Sequence, residues 1–311
     1  MDVKDNQILY ELSKNSRISN KKLAQKIRLS APSTLNRLNN LVNKDILLNT
    51  HAIVDNSALG YKCYRLYFSF RGTTPKKEKE IVNWLKSNQL VSVLAICSGS
   101  IDIAILIWVK DDNSFYSFYE SLKLLWGPKL ANIQIFSYIK TLHFARSYLL
   151  NKKSEFLFST GSNKEVKHDA KDLELLTQLN NNAKLTSIEL AQKIGLSPRS
   201  TIDRLRRLEK NKIIAGYSNN ISTQKIGKEY YKLNFVLSKS LSETEKVSIA
   251  ETVQGVVYID VTLGKFDLEL NVEVTNYSKI EQIINLIKER FDGIQDFNYF
   301  QVKKFEKLVF V

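Results

Sequence analysis

Two stretches of the chain place hydrogen-bonding side chains at helical spacing. Ser30, Ser33, Thr34, Asn36, Arg37 and Asn40 form the first. Ser197, Arg199, Ser200, Thr201, Arg204 and Arg207 form the second. Arginine and asparagine are best shaped for bidentate contacts to guanine and adenine edges in a major groove. Hydroxyls and a helix N-terminus hold phosphates and set register. The chemistry on offer is recognition of double-stranded DNA. No acid–base pair, nucleophile triad or phosphate loop stands out elsewhere, so no enzymatic activity and no cofactor is expected.

Other chemistries lack their residues. Cys63 and Cys97 cannot build a disulfide framework or a four-cysteine zinc site. His51, His143 and His168 lie in three separate regions without metal-ligand spacing, so no metal site is expected. His51 reads as a surface residue beside the first helical stretch. The start of the chain, Met1-Asp2-Val3-Lys4-Asp5, is polar, and the longest apolar run, Ile101 to Val109, is interrupted by Asp102. No membrane partner and a cytoplasmic location are therefore expected.

The candidate helices sit in a repeated framework. Leu23-Ala24-Gln25-Lys26-Ile27 returns as Leu190-Ala191-Gln192-Lys193-Ile194, an offset of 167. The same offset relates Asp5 to Asp172, Arg37 to Arg204 and Gly60 to Gly227. Farther on, Gly99-Ser100-Ile101-Asp102 matches Gly264-Lys265-Phe266-Asp267 at an offset of 165. A solenoid repeats every ~20–50 residues, so this period is that of a whole subunit. The organisation expected is 1–60, a first DNA-reading domain; 61–150, a first sheet domain; 151–168, a linker; then 169–227 and 228–311, the second copies. Phe156-Leu157-Phe158 in the linker reads as a short added strand.

Each copy opens with three helical patterns. Ser19 can cap the second helix, which buries Leu23, Ala24 and Ile27. Ser30 and Ser197 can cap the third, with Pro32 and Pro198 in its first turn. Gly195 suits a left-handed helix end, while Arg28 fills that slot in the first copy. The third helix is expected to turn Leu35, Leu38, Leu41 and Val42 inward, repeated by Ile202, Leu205 and Leu208. Asp45 to Val54, and again Ile213 to Ile221, read as a turn and a two-stranded wing. The rest of each copy changes period to strand-helix-strand-strand-helix-strand, a ferredoxin-like order. Ile101 to Val109 is apolar on both faces, so both faces should be buried. Its counterpart alternates Asp267, Glu269, Asn271 and Glu273 with apolar residues, and Lys232 could pair with one of these carboxylates.

Charge agrees with an anionic partner. The 311 residues hold 46 Lys and Arg against 32 Asp and Glu, a net +14. Residues 1–50 carry nine basic and four acidic side chains, and residues 168–217 nine and six.

The ordered set Asp5-x-x-Ile8-Leu9, Arg17-Ile18-Ser19, Leu23-Ala24, Arg37-Leu38-x-x-Leu41, Leu59-Gly60 and Gly99-x-x-Asp102, found twice, resembles the leucine-responsive/asparagine-regulator (Lrp/AsnC) family of transcription regulators. The resemblance implies an α/β (α+β) chain of two winged helix-turn-helix domains alternating with two ferredoxin-like βαββαβ sensing domains. It implies a pseudo-dimer within one chain, with the sensing domains back to back, and the prospect of higher homo-oligomers. It also implies an amino-acid effector near the turns at Gly99, Asp102, Gly264 and Asp267, residues that equally suit plain turn formation. Siroheme decarboxylases are similar in fold and sometimes tandem. Their Asn-x-Asn-Tyr-x-Arg stretch is absent from Val91 to Trp108 and from Val256 to Val272. A sequence-blind, chromatin-like DNA binder is the remaining alternative.

Overall fold

The computed structural model describes residues 1–161, 164–291 and 293–309. Ser162 and Asn163 of the expected linker, with Asp292, Phe310 and Val311, lie outside the described residues. Each copy starts with three helices: α1 (Val3–Lys14), α2 (Asn20–Ile27) and α3 (Ala31–Asn43), and later α6 (Ala170–Asn181), α7 (Ser187–Ile194) and α8 (Pro198–Lys210). Capping places their starts. Asp2 and Asp169 form capping boxes with Asp5 and Asp172, while Ser19, Ser30, Thr186 and Ser197 accept from the third backbone N–H beyond them.

The turn between the second and third helices is left-handed in both copies. Gly195 adopts it at φ 67°, and Arg28 adopts it at φ 55°. A side chain there costs energy that glycine avoids. Replacing Arg28 with glycine should therefore stabilise the chain, by about 0.5–1 kcal/mol. Thermal denaturation checks this, and a fall in midpoint would contradict it.

The wing expectation is corrected. Each copy contributes one strand, β1 (Leu47–Val54) or β7 (Ile214–Ile221), and the two pair antiparallel with each other. Neither folds back on itself, because its hydrogen-bonding partner is the other copy. The first head's core includes Ile221 from β7, and the second head's includes Ala52 and Val54 from β1. Arg17 Nη1 donates to Ala183 O (2.9 Å), and Lys184 Nζ returns a bond to Ile18 O (2.7 Å). The Ser16 and Ala183 amides donate to Tyr217 O and Thr50 O. The two heads are thus one body with an approximate twofold.

The sheet domains are β2 (Lys62–Phe70), α4 (Pro75–Ser87), β3 (Val91–Gly99), β4 (Ile103–Val109), α5 (Asp112–Trp126) and β5 (Leu130–Phe144), and later β8 (Glu229–Leu237), α9 (Glu243–Thr252), β9 (Val256–Leu263), β10 (Leu268–Val274), α10 (Tyr277–Arg290) and β11 (Ile294–Leu308). Their strands run β2-β4-β3-β11-β8-β10-β9-β5, and β5 pairs back onto β2. The two four-stranded sheets therefore join edge to edge at both sides and close an eight-stranded barrel, which leaves no open edge among these strands. The short strand β6 (Phe156–Thr160), in the region expected as linker, extends this sheet beside β5.

The domains do not sit back to back as stacked layers. Helices α4 and α5 cover the outer face of one half through Ile81, Leu85, Phe118 and Leu122. Ile249, Ile280, Ile284 and Ile287 of α9 and α10 cover the other half. The remaining faces line the barrel interior. Tyr67, Phe136, Phe266 and Phe300 fill part of it. On β4, Ile103, Ile105, Ile107 and Val109 are buried under the helices. Ala104, Leu106 and Trp108 are only half-buried, contrary to the expectation for both faces, because no second sheet packs on them. Among the described residues no helix is long and apolar enough to cross a membrane.

Candidate nucleic-acid interface and central cavity

Helices α3 and α8 are the third helices of their heads, and Thr34, Leu38 and Leu41, with Thr201, Leu205 and Leu208, face inward. Two details of the expected faces change. Leu35 and Val42 are 45% and 50% exposed, since the buried stripe is centred one residue away from each. Thr34 and Thr201 are fully buried, their hydroxyls donating back to Ser30 O and Ser197 O (2.9 and 3.0 Å). Ser30 and Ser197 spend their hydroxyl oxygens on the caps.

The arginines also have intramolecular work. Arg37 Nη1 binds Asp2 and Asp5 at the start of α1 (2.7 and 2.8 Å). Arg204 Nη1 binds Asp169 and Asp172 at the start of α6 (2.7 and 2.9 Å), and Arg207 Nη2 binds Asp172 (2.6 Å). The hydrogen bond from Arg204 holds the Asp169 carboxyl below the usual range. These pairs hold the third helix against the first. Asn36 and Asn40 remain exposed on α3, with Ser33 half-buried. Arg199, Asp203 and Arg206 are exposed on α8. There, Ser197, Arg199, Ser200, Asp203, Arg204 and Arg207 line a shallow concavity of about 480 Å³.

The Gly-x-x-Asp turns serve the barrel. Asp102 Oδ2 accepts from the Phe70 amide and Asp267 Oδ2 from the Leu237 amide, both at 2.8 Å. A Cβ at Gly99 would meet Phe300 backbone at 3.3 Å, and one at Gly264 would overlap the Phe136 ring at 2.3 Å. Each turn therefore packs against a strand of the other copy.

A larger feature escaped the sequence. A cavity of about 1410 Å³ opens between the barrel interior and the head-joining strands. A buried polar cluster on its wall joins both copies. Arg65 of β2 binds Asp260 (2.6 Å) and Glu269 (2.5 Å), and Lys232 binds the same two carboxylates. Tyr138 donates to Asp260, and the Arg65 guanidinium lies 4.7 Å from the Tyr138 ring centre. Burial raises the Asp260 carboxyl, but Lys232 and Arg65 outweigh it and hold the group well below its ordinary range. Lys232 thus meets the pairing its sequence position suggested.

A second cluster ties barrel to heads. Arg146 donates through Nε and Nη2 to Glu273 (2.9 and 3.1 Å), and through Nη1 to the carbonyl and side chain of Asn219 on β7 (3.0 and 3.1 Å). The Asn219 amide donates in turn to Leu9 O on α1 (3.2 Å). Tyr148 also donates to Glu273. His51 is buried beside this cluster rather than on the surface, because β1 lies under the head pair and over the cavity. Burial, with the charge of Arg146, pulls its ring down to about 4. Burial likewise pulls the His143 ring down to about 4, against the opposing charge of Asp260. Arg146 carried no motif; its one sequence signal is a lone cation among apolar residues, matched by the lone carboxylates of β10.

Comparison with known proteins fits this geometry. A winged helix-turn-helix DNA-binding family model matches residues 1–47 and 168–215, the two heads. The leucine-responsive regulatory protein of Haemophilus influenzae is 25% identical over 131 residues, covering 41% of this chain and 79% of that protein. An uncharacterised HTH-type transcriptional regulator of Bacillus subtilis, YezC, is 43% identical over 60 residues, 19% of this chain and 43% of its own length. Both heads match this winged helix-turn-helix family, and the chain is similar to leucine-responsive regulators. Over nearly its whole length the chain is similar in fold to the siroheme decarboxylase NirDL, with a TM-score of 0.63 at 12% identity over 98% of this chain and 93% of that one. The same enzyme bound to an iron-uroporphyrin III analogue gives 0.60 at 13% identity. That finding corrects the expectation that the chain is not an enzyme. The architecture that spans nearly all of it is one in which an enzyme has been solved, and a missing motif does not remove the enzyme class.

Proposed function

We propose that this chain is a DNA-binding transcription regulator whose two heads read one asymmetric operator. The observation that carries this is the locked head pair. Crossed β1–β7 pairing and the Arg17 and Lys184 bonds fix α3 and α8 relative to each other. Two unlike helices held at fixed spacing match two unlike half-sites, as a symmetric dimer matches a palindrome. Asn36 and Asn40 with Ser33 would read one half-site. Arg199, with Ser200 and the anchored Arg204 and Arg207, would read the other. The arginine anchors keep these side chains in place before DNA arrives, which lowers the ordering cost of binding. Small-molecule control of the heads is part of this reading. Gly99, Asp102, Gly264 and Asp267 would act in it by shaping the turns where the copies meet. A genome-wide binding map tests the function: a recurrent motif near promoters supports it, and occupancy without a motif contradicts it.

The cavity favours a second reading, supported by the whole-chain likeness to NirDL. In it, the barrel takes a tetrapyrrole of the siroheme kind as substrate. An absorbance titration of the chain with siroheme decides it: a saturating band shift and loss of carboxyl groups support this reading, and an unchanged spectrum removes it.

A further inference from the structure

Resting on the DNA-binding reading above, we propose that Asp203 sets the base preference of the second head: its carboxylate accepts from the N4 amino group of a cytosine in the major groove.

Two rows of side chains face outward on each third helix. One row is shared between the heads, since Ser33 and Arg37 on α3 match Ser200 and Arg204 on α8 at the offset of 167. The neighbouring row is not. It reads Pro32, Asn36 and Asn40 on α3 but Arg199, Asp203 and Arg207 on α8. Positions four apart share a helix face, so Asp203 stands between two cationic side chains. It lines the shallow concavity together with Ser197, Arg199 and Ser200.

Its neighbours leave that carboxylate to the solvent. Arg204 and Arg207 turn to Asp169 and Asp172 at 2.6 to 2.9 Å, and Asp203 forms no ion pair among the described residues. Glu209, the other acid of α8, is engaged, since Tyr217 donates to it (2.6 Å). Asp203 is exposed. On a face that meets phosphates its charge weakens binding to every sequence alike. It gains only at a base that offers a hydrogen-bond donor.

The base edges select which one. In the major groove guanine shows two acceptors, N7 and O6, and thymine one, O4, so both repel a carboxylate. Adenine has an N6 amino group but sets its N7 acceptor beside it. Cytosine shows the N4 amino group alone. An ionised carboxylate only accepts, and it therefore fits cytosine best. The flanking arginines suit the other half of the same base pair, because its guanine shows only acceptors. At the related place in the first head, the Asn36 amide carries a donor and an acceptor, which matches adenine N6 and N7.

The test is site selection from a random duplex library by the full chain, as wild type, Asp203→Ala and Asp203→Asn. Anisotropy titration of the recovered duplex follows, and circular dichroism confirms that both variants are folded. The wild type should recover a half-site with one cytosine column. Asp203→Ala should level that column and Asp203→Asn should turn it to adenine, with the other columns intact. Exchanging that C·G pair for A·T should weaken wild-type binding about fivefold or more and leave Asp203→Ala within about twofold. Both variants should bind a scrambled duplex about twofold or more tighter, because a negative charge has left the face. A recovered motif in which no cytosine column depends on Asp203 overturns the proposal while the DNA reading stands. So does a loss spread over the whole half-site, which would mean that Asp203 only aims the arginines beside it, or a scrambled-duplex affinity that does not rise. A wild type that recovers no motif overturns both.

Discussion

Replacing Arg65 with methionine is expected to destabilise the folded chain by about 3–5 kcal/mol, the cost of breaking a buried ion pair from one side. Arg65 is 5% exposed, and its partners Asp260 and Glu269 are 4% and 0% exposed. Without it, Lys232 is left to balance two buried carboxylates. An ordinary surface pair would cost at most about 1 kcal/mol. Burial therefore decides the size of the effect. The companion variant joining Arg65→Met with Glu269→Leu removes one charge of each sign and should recover part of the loss. Urea denaturation followed by circular dichroism checks both. A loss under about 1 kcal/mol for the single variant would mean that the two copies are not held together through this cluster. The choice of residue matters because Arg65 belongs to the first copy and its carboxylates to the second. The pair therefore reports assembly of the barrel, not the stability of one half.

The second large effect is expected at the DNA. Arg199→Ala should lose about 1–3 kcal/mol on an operator, and the loss should vanish when the half-site under α8 is scrambled. Asn36→Ala should do the converse, on the half-site under α3. Both residues are exposed and lie outside the Asp169–Asp172 and Asp2–Asp5 anchor pairs. Substituting Arg204 would confuse two effects, because it also ties α8 to α6. Anisotropy titrations of four duplexes, intact and scrambled on either side, measure this. Equal losses on every duplex would show that the two side chains act on phosphates alone.

Much of the fold was legible because it is local. Helix caps at Ser19, Ser30 and Ser197, the proline in each third helix and the period change at the sheets all act within a few residues. The duplication was legible because the copies keep their register over most of their length. What escaped was pairing between copies. Strand β1 looks like half of a hairpin from sequence, and nothing near it reveals that its partner is β7. Barrel closure is equally remote, since β3 meets β11 across some two hundred residues. The alternating carboxylates of β10 suggested only a pairing with Lys232 on the neighbouring strand. Glu269 and Glu273 are also buried against Arg65 and Arg146, both contributed by the first half of the chain. For the candidate site, spacing found the two third helices but not the inward turn of Thr34 and Thr201, which depends on a helix phase one residue from the apparent apolar stripe. The cavity had no local signature at all.

Selection of binding sites from a random duplex library by the intact chain tests the central claim most directly. Two fused, unlike heads predict a single recovered site with two different half-sites at constant spacing, bound by one chain. A perfect palindrome, or a pool that never departs from random, would contradict it.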